Sequence, residues 1–172
     1  MTLETLVAAS VFAFVTSITP GPNNTMLLAS GLNHGLARTI PHMLGISLGF
    51  PLMLIAVGLG LSGIFAAFPS LHQILQALGA VYLLYLAYSL ATSAPLDNGG
   101  ATAQKPMTFL QAAMFQWINP KAWMIATGAI ATYVPANAFA AGIAGLAAIF
   151  AVVSLPCIAA WAGFGIAFRN IL

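Results

Sequence analysis

Six side chains in this chain carry a formal charge at neutral pH: Glu4, Arg38, Asp97, Lys105, Lys121 and Arg169. Soluble domains devote about a quarter of their residues to charge. Here the share is 3% of 172 residues, beside 61% hydrophobic residues and a mean hydropathy of +1.01. Such a chain needs lipid as its solvent, and the fold class expected is an all-α integral membrane protein. The net charge of +2 comes from four scattered basic residues, which form no stripe able to follow a phosphate backbone, so no nucleic-acid partner is expected. The start Met1-Thr2-Leu3-Glu4 carries an acid where a secretory signal would carry positive charge, and reads as a retained helix.

A helix needs about 20 apolar residues to cross a bilayer core of about 30 Å. Five windows of that kind fall between turn signals, giving a polytopic bundle of about five transmembrane helices. The first runs from Leu3 into Thr19-Pro20-Gly21-Pro22, resuming through Met26 to Ser30. The others run from Pro41 to Phe65, Ser70 to Ser93, Thr108 to Val134, and Ala136 to Phe164 with a kink expected at Pro156. The polar, turn-rich stretch 94–107 splits the single domain 1–172 into halves 1–93 and 108–172.

Ile18-Thr19-Pro20 and Ile118-Asn119-Pro120 recur 100 residues apart (118 − 18) and interrupt the opening helix of each half. Matched interruptions are the sequence sign of an inverted-repeat transporter, here three helices followed by two of a second repeat, with the sixth absent after Leu172. Arg38, Lys105 and Arg169 all fall on one side of this topology, which makes the Arg38 and Lys105 loops and the C-terminus cytoplasmic and the N-terminus external.

Two prolines within Thr19-Pro20-Gly21-Pro22-Asn23-Asn24 remove backbone donors and leave carbonyls unpaired at membrane depth. Non-helical backbone is tolerated there when it is packed in protein or lines a wet cavity, where Thr19, Asn23 and Asn24 could bind a polar solute. A proline turn at the membrane interface is the plainer alternative. Lys121, after Asn119-Pro120, sits midway along the fourth window, where an ammonium costs about 3 kcal/mol. It could neutralise a solute carboxylate, pair with freed carbonyls, or carry a proton; the alternative is snorkelling to the headgroups. Trp117 and Trp123 flank this break and could wall a pocket or simply pack.

His42, beside Pro41, is a possible proton relay or a structural histidine. His34, His42 and His72 lack the four-residue spacing of a helical metal pair, and Cys157 is the single cysteine. Neither a metal, a cofactor nor an internal disulfide is therefore expected. Gly58-Leu59-Gly60-Leu61-Ser62-Gly63 matches GxGxxG by letter but follows no strand, so a dinucleotide site is rejected. Gly31/Gly35 and Gly45/Gly49 have the spacing of helix-packing motifs. With Glu4 and Asp97 both outside the spans, no acid–base pair can be assembled, and the chain is not read as an enzyme.

Several of these segments together resemble the LysE/RhtB family of amino-acid exporters: Thr19 to Asn24, Gly31 to Arg38, Gly45 to Gly49, Gly79-Ala80-Val81-Tyr82-Leu83-Leu84-Tyr85-Leu86, and Asn119-Pro120-Lys121-Ala122-Trp123. Pro41 to Phe50 looks most like the cysteine/O-acetylserine branch. The resemblance implies a bacterial inner-membrane exporter of small amino acids or their derivatives, exchanging with protons, with the TPGPNN and NPK positions as the solute and gating region. The chain departs from the family at Ser89 to Ser93, where a basic residue usually closes the third helix, and in the missing final helix. Two functions follow as expectations. One is a secondary transporter, with a neighbouring copy in a homo-oligomer covering the open face. The other is a non-transporting fragment or partner subunit that assembles through its small-residue faces.

Overall fold

The computed structural model describes residues 1–61 and 105–171, together with Ser70, Ile74, Ala77, Val81, Leu84 and Tyr88. The described part is helical: α1 (Leu3–Ile18), α2 (Pro22–Ala56) with a π-type turn at Val57–Leu61, α3 (Phe109–Phe115), α4 (Pro120–Tyr133), a 3-10 turn at Ala136–Ala138, and α5 (Phe139–Ile171). The six isolated positions are helical and exposed. Most of the third window lies outside the described residues, as do the 94–104 stretch, His72, Asp97, Ser62 and Gly63.

Local chemistry sets these boundaries. The Thr2 hydroxyl caps α1 by accepting from the Thr5 amide at 3.2 Å, with Glu4 in the first turn complementing the helix dipole. A reciprocal capping box between Thr108 and Gln111 opens α3. Pro22 and Pro120 open α2 and α4 at positions where the missing N–H costs nothing. The expected fourth span is thus interrupted into α3 and α4.

The junction of the first and second windows departs from expectation. The helix resumes at Pro22 and reaches Ala56 with one interruption, at Gly35 (φ 73°, ψ 179°) rather than before Pro41. That backbone geometry is open to glycine and strained for any residue with a Cβ, so Gly35 turns the chain. The Ser30 and Thr39 hydroxyls meet at 2.9 Å, although nine residues of straight helix span about 13 Å. The two legs of α2 therefore fold back on each other at Gly35.

The surface is inverted relative to a soluble protein. Leu3, Val7, Val11 and Phe14 on α1, Leu44, Leu48 and Leu52 on α2, and Val152, Phe164 and Phe168 on α5 are exposed. Asn24, Ser30, Thr39, His42, Ser47, Gln116, Asn119 and Ser154 are buried. Apolar outside and polar inside is the distribution lipid demands. Among the described residues two stretches, Pro22–Gly60 and Ala136–Arg169, are long and apolar enough to cross a membrane, and Leu3–Ile18 is a shorter apolar helix.

Lipid tails are as apolar as leucine, so helices here associate by close packing rather than by escape from water. A Cβ at Gly31 would collide with the Ala162 carbonyl, and one at Gly165 with the Leu28 carbonyl, so α2 and α5 touch backbone to backbone. Gly45 and Gly49 bring α2 equally close to Phe109, Ala112 and Ala113 on α3. Ala9, Ala13, Leu54, Ala126, Ala129, Ile143, Leu146 and Phe150 form the largest core cluster, drawn from α1, α2, α4 and α5. Phe12 and Phe50 set their rings edge-on to Phe150, with centroids 6.4 and 5.0 Å away.

Candidate solute site at two broken helices

Between α1 and α2 the backbone is extended at Thr19 and Gly21, and five successive carbonyls, Thr16 to Pro20, lose their helical donors. Thr16 accepts from the Thr19 hydroxyl at 3.1 Å, and side chains from three other segments satisfy the other four. The Asn24 amide donates to the Ser17 and Thr19 carbonyls, both at 2.8 Å. The Trp161 indole donates to Ile18 at 3.0 Å. The Lys121 ammonium donates to the Thr19 carbonyl at 2.8 Å, the Thr19 hydroxyl at 2.9 Å and the Pro20 carbonyl at 3.2 Å. Of the tasks open to Lys121, the structure displays pairing with freed carbonyls.

The second interruption is capped from within. The Asn119 side chain accepts from the Lys121 amide at 3.1 Å, and the Trp123 indole donates to the Trp117 carbonyl at 2.8 Å. Gln116, fully buried in the turn after α3, donates to the Ala112 carbonyl at 2.9 Å. It also exchanges amide hydrogen bonds with Asn23, at 2.9 and 3.2 Å. The two interruptions thus meet, joined by Lys121 on one side and the Asn23–Gln116 pair on the other.

A cavity of about 60 Å³ lies where they meet. Ser17, Gly21, Asn23, Asn24, Gln116, Asn119, Lys121 and Ser154 supply its polar wall, and Ile46, Phe50, Ile125, Phe150 and Ile158 its apolar one. Among the described residues no carboxylate lines it. Polar groups converging in an otherwise apolar pocket are what orient a small ligand.

Of the residues singled out in the sequence, Gly21, Pro22, Asn23, Asn24, Asn119 and Lys121 line this cavity. Thr19 and Pro20 stand beside it as acceptors for Lys121. Trp123 does not reach it: its ring packs against Trp117 at 6.4 Å and among Met53, Val57 and Ala122. His42 is buried elsewhere on α2, with neither ring nitrogen hydrogen-bonded. Among the described residues no group of three His, Cys, Asp or Glu could hold a metal. Sequence reasoning missed Gln116, Ser154, Phe50, Phe150 and Trp161. Gln116 had a readable signal, an amide three residues before Asn119 in an apolar run.

Interrupted apolar helices that meet around a pocket of converging polar groups are the arrangement of helical membrane translocators. The chain belongs to the LysE type translocator family, whose profile matches residues 14–170. It is 31% identical to the cysteine/O-acetylserine efflux protein of Escherichia coli (strain K12) over 173 aligned positions, covering 99% of this chain and 87% of that protein. The proteins of the same name from Escherichia coli O157:H7 and O1:K1 / APEC are 31% and 30% identical over the same shares. No solved structure matches the chain.

Proposed function

We propose that this protein exports a small neutral amino acid, or a derivative of one, across the bacterial inner membrane in exchange for protons, through the cavity between the two interruptions. The observation that carries the reading is the seat of Lys121: an ammonium from one half rests on the carbonyls of the other, at the wall of that cavity. Thr19 to Asn24 and Asn119 to Lys121 form the solute and gating region, and the efflux relatives supply the substrate class.

His42 is the candidate proton carrier, as a buried imidazole without a hydrogen-bond partner. The N-terminus lies outside, with Arg38, Lys105 and the C-terminus cytoplasmic. In support, the Met1 sulfur lies against Gly145 and the Arg169 guanidinium against Gly35, so Met1 and Gly35 sit about 36 Å apart along α5.

The test is export of labelled amino acids from cells stripped of their own exporters, with and without a protonophore. Export that collapses with the gradient supports the reading, whereas no export of any amino acid by well-inserted protein overturns it.

A further inference from the structure

Lys121 fills a site whose chemistry is not specific to lysine. The Thr19 carbonyl, Thr19 hydroxyl and Pro20 carbonyl stand 2.8, 2.9 and 3.2 Å from its nitrogen. Three acceptors therefore face the three N–H bonds of a primary ammonium. The α-ammonium of an amino acid presents the same three donors. We infer that these acceptors are the solute's ammonium site, that Lys121 occupies it when the cavity is empty, and that an incoming solute displaces Lys121 onto its own carboxylate. The inference rests on the amino-acid reading for the identity of the solute, and on the geometry for the site.

Charge counting supports the exchange. Among the described residues, the cavity wall contains one cation, Lys121, and no carboxylate. A zwitterion satisfies it completely, with its ammonium on the carbonyls and its carboxylate on Lys121. An amine alone would set two cations side by side. An acid alone would draw Lys121 away and leave the Pro20 carbonyl without a donor, Thr19 keeping Asn24.

Space points the same way. The ammonium site lies under the Lys121 side chain at the edge of the cavity, so a solute reaches it only when something moves. The flexible tail of Lys121 is the part best able to move, because it lies across Gly21: a Cβ there would come within 2.8 Å of its Cδ and 3.1 Å of its Nζ. Gly21 thus provides the groove in which the tail rests over the ammonium site.

The experiment is ligand binding to purified protein in nanodiscs, using serine, N-acetylserine and ethanolamine, which remove the ammonium and the carboxylate in turn. Wild-type protein should bind serine roughly tenfold or more tightly than either derivative, the worth of one charge-assisted hydrogen bond. Lys121→Met vacates the ammonium site and removes the carboxylate partner, so the preference should cross: ethanolamine gains about tenfold and serine loses as much. Gly21→Ala, which keeps the charge but crowds the tail out of its groove, should strengthen ethanolamine binding in the same direction and serves if Lys121→Met does not fold. Folded variants that bind ethanolamine no better than wild type would overturn the ammonium site. Ethanolamine binding gained by Lys121→Met, with no amino acid bound by wild type, would uphold the site and overturn the amino-acid reading instead.

Discussion

Asn23 and Gln116, 93 residues apart in sequence, exchange a reciprocal pair of amide hydrogen bonds across the two halves of the chain. Each amide satisfies the other's donor and acceptor where water is scarce. Replacing one partner strands the other, at a cost of about 1–3 kcal/mol. Gln116→Leu should therefore lower thermal stability in nanodiscs, and Asn23→Leu added to it should recover part of the loss. Strict additivity in that double-mutant cycle would show that the pair is not coupled.

The carbonyls of the first interruption differ in how many depend on each donor. Asn24 serves two and Trp161 serves one. Thr19 keeps Lys121 as a second donor, so Asn24→Ala strands the Ser17 carbonyl and Trp161→Phe the Ile18 carbonyl, and each is expected to destabilise the protein by about 1–3 kcal/mol. Melting measurements that find either variant as stable as wild type would contradict this.

Gly165 and Gly163 lie two residues apart on α5 yet differ in what an added methyl would meet. A Cβ at Gly165 runs into the Leu28 carbonyl, while one at Gly163 meets nothing within 4 Å. Gly165→Ala should cost about 1–3 kcal/mol or more through overpacking and reduce the yield of folded protein in the membrane. Gly163→Ala should match wild type in the same assay.

His42 is buried with both ring nitrogens unpartnered, away from the cavity wall. His42→Leu should leave folding intact or improve it, since an unsatisfied buried polar group costs about 1–3 kcal/mol. If the imidazole carries the exchanged proton, solute binding should survive while gradient-driven export stops. Export that continues unchanged in this variant would remove His42 from the proton path.

Cysteine labelling tests the orientation cleanly, because the native Cys157 is buried. Asn137→Cys should react with an impermeant maleimide in intact cells, and Lys105→Cys should react after permeabilisation. The reverse pattern would invert the proposed topology.

The sequence revealed the parts of this fold that depend on a backbone defect. Prolines remove donors wherever they stand, so the interruptions at Thr19 to Pro22 and at Asn119-Pro120 were readable, and the structure opens α2 and α4 there. The turn at Gly35 was not, because a glycine spaced four residues from Gly31 reads equally well as a packing residue. Only the tertiary fold places one of them against Ala162 and the other at positive φ. The remaining cavity wall escaped for a similar reason. Phe50, Phe150 and Ser154 carry no local mark separating them from other apolar or small helix residues. Trp123, beside a break in sequence, turns instead into the packing around Met53.

The two interruptions are braced unequally, which bears on how α4 can move. Side chains on α2, α4 and α5 prop the first. Asn119 and Trp123 close the second by bonding to their own neighbourhood. A lever needs a fulcrum that carries its own load, and Asn119 resembles one: the bond by which it caps α4 lies within the first turn of that helix and draws on nothing from the other half of the chain. The first interruption is the anchored end of the linkage, and the lysine tail between them is where torque would pass from one half of the chain to the other.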